Sequence, residues 1–150
     1  MDSYKKDFEE RNRKLKEFQD LFENIFIYMK KQEDLFPKTP YNLSASHILI
    51  LTYLNKVGNC TVSDITNYLG ISSGGGTVLT NNLLKHNLIN HYRSNKDKRV
   101  VLLSLTSQGE EIVEQIIKQR STTFVGMLEN LDETEIEQIL DVFRKLNHNF

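Results

Sequence analysis

Between residues 88 and 105 the apolar residues abandon the helical spacing that governs most of the chain and take the period of short strands. Leu88-Ile89 leads in, Ser94-Asn95-Lys96-Asp97 supplies a polar tip, and Val100-Val101-Leu102-Leu103 leads out, a pattern that predicts a hairpin. Two short helical stretches precede it. Thr61-Val62-Ser63-Asp64 has the form of a capping box with Asp in place of Glu, opening a helix through Ile65 and Leu69 that Gly70 ends. The next stretch carries Val78, Leu79, Leu83 and Leu84. Two short helices with a tight turn between them and a hairpin behind them specify a winged helix-turn-helix.

Longer helices flank this unit. Phe8, Leu15, Phe18, Leu21, Phe22, Ile25, Phe26 and Met29 follow helical spacing with no Gly or Pro between them, so one helix is predicted over residues 8–36, ended by Pro37 and Pro40. Ser44 is placed to cap a helix through Ile48, Leu49, Leu51 and Leu54 that closes near Gly58. Ser107-Gln108-Gly109-Glu110 reads as a capping box for a helix through Ile112, Val113, Ile116, Ile117 and Phe124. Asp132-Glu133-Thr134-Glu135 caps a last helix, with Ile136, Ile139, Leu140, Phe143 and Leu146 expected inward. The expectation is a mainly α fold with a small β-hairpin wing, one domain over residues 1–150. Residues 44–105 form the winged unit, and 1–36 with 107–150 supply dimerisation helices, because their apolar surface exceeds what one small winged domain covers.

Charge points to the kind of partner. The net charge of −1 hides a basic centre: residues 41–109 hold six bases against Asp64 and Asp97 alone, while residues 1–40 are balanced and residues 110–150 carry nine acids against four bases. A basic centre on neutral and acidic arms suits a polyanion. The opening Met1-Asp2-Ser3-Tyr4-Lys5-Lys6 runs into further charges where a secretory leader would be apolar, and no run approaches the roughly 18 apolar residues of a membrane span, so a cytoplasmic protein with no membrane partner is expected. Cys60 is the only cysteine, and with four scattered histidines it makes no C-x-x-C or H-E-x-x-H grid, so neither metal nor cofactor is expected. Gly74-Gly75-Gly76 lacks the Lys-Ser or Lys-Thr of a phosphate loop. No nucleophile elbow or deaminase signature occurs, which argues against an enzyme. Cys60 reads as a core thiol, His47 as a core or interface histidine, and Glu133 with Glu137 as a solvated face.

Several of these residues resemble the MarR-type transcriptional regulators over nearly the whole chain. They are Ser63-Asp64-Ile65 through Leu69-Gly70-Ile71-Ser72, Leu83 with Leu88-Ile89, and most specifically Arg93-Ser94-x-x-Asp97-x-Arg99-Val100-Val101 and Leu105-Thr106-x-x-Gly109. The resemblance implies a homodimer built by the first, fifth and sixth helices on a pseudo-palindromic operator in double-stranded DNA, commonly released by a small-molecule effector or an oxidant. It implies that Asp97 positions Arg99 at the minor groove. Arg93, Lys96 and Lys98 are then expected beside phosphates, and Ser72, Ser73, Gly75, Thr77, Thr80, Asn81 and Lys85 at the major groove and its backbone. Gly75-Gly76 stands where the family usually has Thr-Val, Val78 where it often has Arg, Asn87 where a Gly is common, and His91 where Arg is usual. This poor recognition helix keeps open an alternative, a winged-helix protein-interaction module with weak operator binding.

Overall fold

Residues 2–148 are described by a computed structural model. Helix α1 (Asp2–Lys31) leads through a single 3-10 turn, Glu33–Leu35, to α2 (Ala45–Val57); β1 (Asn59–Cys60), α3 (Val62–Leu69) and α4 (Ser73–Lys85) follow. The wing is β2 (Ile89–Arg93) and β3 (Val101–Leu105), and α5 (Ser107–Leu128) and α6 (Glu133–Asn147) complete the fold. Among the described residues no helix is long and apolar enough to cross a membrane.

The caps explain most boundaries. Ser44 accepts from the His47 amide and Thr61 from the Asp64 amide, so the first turns of α2 and α3 do not leave those donors bare. Gly70 ends α3 in the left-handed region at φ 65°, and Asn87 turns the chain from α4 toward the wing at φ 56°. The sheet is antiparallel in the order β1-β3-β2, with Cys60 opposite Leu103 and Arg93 opposite Val101.

The core lies in the winged unit and is closed by the first half of α5. Ile48, Ile50, Leu51 and Leu54 of α2 meet Ile65, Leu83, Leu88, Ile89 and Leu103, and Ile112, Val113 and Ile116 of α5 close it. Each such side chain contributes roughly 1.5–3 kcal/mol by leaving water. Among the described side chains, none on α1 or α6 is buried.

Four local expectations need correction. Helix α1 stops at Lys31, ahead of the prolines, because Leu35 turns inward and its carbonyl accepts from Arg120 Nε of α5 at 2.7 Å. Leu140, Phe143 and Leu146 of α6 are exposed rather than inward, and Ile136 and Ile139 only half-buried, since no element among the described residues covers that face. The cap of α5 is Thr106, not Ser107: its hydroxyl accepts from the Gly109 amide at 2.9 Å and donates to the Asn87 carbonyl at 2.7 Å. Finally, β1 joins the wing as a third strand, two residues too short to carry any periodicity.

Candidate nucleic-acid interface

The turn between α3 and α4 is three residues, Gly70-Ile71-Ser72, and both sides of it are locked. The Asp64 carboxylate accepts from the Thr61 amide and hydroxyl, both at 2.8 Å, and these bonds hold its pKa below the usual value. Ser72 Oγ accepts from the Gly75 amide at 3.1 Å and caps α4. Helix α4 lies so close to α3 that a Cβ on Gly76 would collide with the Thr66 methyl. Thr66 cannot easily turn away, because its hydroxyl donates to the Ser63 carbonyl at 2.9 Å.

These contacts decide which face of α4 is left to a partner. Gly76, Thr80 and Leu83 face inward, and Ser73, Gly74, Thr77, Val78, Asn81 and Lys85 face outward. Thr80 was expected at DNA and is instead 2% exposed, its hydroxyl donating to the Gly76 carbonyl at 2.9 Å. The signal was present in the sequence, since Thr80 stands four residues after Gly76 and three before Leu83. The Gly75 amide, expected near a phosphate, is engaged by Ser72, which leaves the Ser73 and Gly74 amides as the donors with no carbonyl one turn back.

The wing continues this surface along the chain, and no acid occurs between Asp64 and Asp97. Ser94 N–H donates to the Val100 carbonyl at 2.9 Å and Val100 N–H to the Asp97 carbonyl at 3.0 Å, which closes the tip. Asp97 Oδ1 accepts from the Arg99 amide at 2.9 Å, so the carboxylate sets the backbone from which Arg99 projects rather than holding its guanidinium. Arg93 Nη1 donates to the Lys98 carbonyl at 3.0 Å and braces the two arms of the hairpin. Lys98 Nζ reaches Asn95 Oδ1 at 3.3 Å. Ser72, Ser73, Thr77, Asn81, Lys85, Arg93, Lys96, Lys98 and Arg99 are all exposed.

Two features outside the expected set tie this surface to the rest of the fold. A Cβ on Gly109 would strike the Leu88 carbonyl, so α5 starts directly against the root of the wing, which gives Leu105-Thr106-x-x-Gly109 its physical meaning. Tyr53 of α2 stacks on Tyr68 of α3 at 4.2 Å between ring centroids, a pair with no marker in the sequence because the two residues meet only after folding.

Comparison with known proteins agrees with this geometry. Residues 36–116 match the family model described as transcriptional regulator SarA/Rot. The chain is 30% identical to the uncharacterized HTH-type transcriptional regulator YwhA of Bacillus subtilis, over 79% of this chain and 86% of that one. It is 29% identical to the HTH-type transcriptional repressor MdtR of the same organism, over 85% and 79%. In fold it is similar to a MarR family protein from Bacillus stearothermophilus, with a TM-score of 0.81 at 23% identity over 92% of this chain and 96% of that one. A winged helix-turn-helix with the fold of a MarR family protein, together with a family model that matches more than half of its length, shows that the chain belongs to the SarA/Rot family of transcriptional regulators.

Proposed function

We propose that the protein represses transcription from the cytoplasm by binding operator DNA as a homodimer, without catalysing a reaction. The outward face of α4 enters the major groove, the Ser73 and Gly74 amides approach a phosphate at the start of the helix, and Arg99 reaches the minor groove from the wing. Lys85, Lys96 and Lys98 sit beside phosphates, and Arg93 shapes the hairpin that presents them. The observation that carries this reading is the unbroken stretch without acids from Ile65, inside α3, to Lys96 at the wing tip, which covers α4 and β2 entirely.

The division of labour along the chain supports two copies. Residues 44–105 form the winged unit, and the flanks carry apolar side chains that the monomer leaves in water, among them Phe18, Phe22, Phe124 and Phe143. A two-fold dimer through these helices places the recognition helices on half-sites about 10 bp apart. Repression is the activity named for MdtR, a relative that aligns over 85% of this chain.

Light scattering of the full chain together with titration against a pool of random duplex fragments tests the reading. A particle of twice 17.5 kDa that enriches a pseudo-palindrome supports it. A 17.5 kDa particle, or no enrichment at low salt, overturns it, the latter in favour of a protein-interaction module.

A further inference from the structure

The outward face of α4 is unusual in what stands at its centre. At 100° per residue, Val78 lies opposite the inward stripe of Gly76, Thr80 and Leu83, and it is 69% exposed. One turn before it, Gly74 has no side chain and nothing within 4 Å of where a Cβ would be. Thr77, its neighbour, has its hydroxyl donated to the Ser73 carbonyl at 3.0 Å, and Thr80 is turned into the core. Flanked by the exposed side chains of Ser73 and Thr77, the centre of the first two turns is therefore bare backbone at Gly74 followed by one apolar side chain, Val78. Asn81 and Lys85 follow it on the same face.

We infer that Val78 is a specificity-determining residue that reads the 5-methyl group of a thymine in the major groove. This rests on the operator-binding reading above. Every base presents hydrogen-bonding groups there, thymine its O4 acceptor, but thymine alone adds an apolar methyl group. A valine set against a guanine or cytosine edge would strip water from polar atoms and return no hydrogen bond. Set against a thymine, its methyls cover a methyl, and both leave water together. The bare Gly74 turn matters as much as the valine, because a side chain at that position would hold the helix away from the base edges.

Deoxyuridine replaces thymine without altering base pairing and removes only the methyl, so it isolates this contact. The full-length protein is used to select sites from random duplex DNA, and each thymine of the selected site is replaced singly by deoxyuridine. At one position in each half-site the replacement weakens binding by about fourfold, the effect of withdrawing one buried methyl group. With Val78→Ser, the same replacement changes affinity by less than about twofold. Selected half-sites in which no deoxyuridine matters, or a Val78→Ser variant that keeps the wild-type sensitivity, overturn the assignment while leaving operator binding in place. Failure to select any site overturns both.

Discussion

Gly76 of α4 faces the Thr66 methyl of α3 with no room between them for one further carbon atom. The three successive glycines are thus not equivalent. Gly74 borders open space, Gly75 would press a Cβ to 3.3 Å from the capping Ser72 Oγ, and Gly76 is required by the crossing of the two helices. Gly74→Ala should stabilise the fold by about 0.5–1 kcal/mol through helix propensity. Gly76→Ala should destabilise it by about 1–3 kcal/mol through overpacking, and Thr66→Ser, which keeps the hydroxyl and removes the methyl, should recover most of that loss in the double variant. Denaturant unfolding of the four proteins checks this. Equal stability of Gly74→Ala and Gly76→Ala would show that the helices do not pack this closely.

On the wing, Asp97 acts through the Arg99 amide, so the acceptor atom matters and the charge does not. Asp97→Asn should therefore bind DNA nearly as wild type, whereas Asp97→Ala releases the turn and weakens binding. Arg99→Ala should lower affinity by about tenfold or more and reduce the slope of log affinity against log salt by about one. Anisotropy titrations at several salt concentrations on a selected site distinguish these outcomes, and an Asp97→Asn variant as weak as Asp97→Ala would mean that the charge itself is used.

His47 closes the start of α2 as a neutral ring. The Ser44 amide donates to His47 Nδ1 at 3.1 Å, which requires that nitrogen to be unprotonated, while Nε2 is buried without a partner. Burial first, and the nearby His86 second, lower its pKa below the usual 6.5. The sign follows from proton binding: between 6.5 and the lowered folded value, the unfolded chain takes up a proton that the folded one refuses. Stability is full above pH 6.5 and falls as the pH drops toward the folded value. Chemical unfolding between pH 8 and pH 5 should show a shallower decline for His47→Gln than for wild type, and parallel curves would remove His47 from the account.

Cys60 is paired through its backbone with Leu103 and buried beneath the wing, and burial, with Asp64 adding to it, pushes its thiol up to about 11. The thiolate is the reactive form, so native Cys60 should alkylate more slowly than in denaturant by on the order of a hundredfold or more. Rapid labelling of the native protein by iodoacetamide, or loss of DNA binding on mild peroxide treatment, would make it a sensor rather than a core residue.

Much of the architecture is decided by signals contained within four or five residues. The Ser44, Thr61 and Asp132 caps, the left-handed Gly70 and Asn87, the change of period at residue 88 and the gap in acids between Asp64 and Asp97 all lie in the sequence, because each depends on neighbours along the chain. Tertiary structure decided the rest. It buried Thr80, paired Asn59 and Cys60 with a strand more than forty residues away, and left Phe143 in water although its spacing reads as a core position. The physical reason is common to all three: periodicity tells which residues share a face, but only a partner brought from elsewhere determines whether that face is covered, and by what.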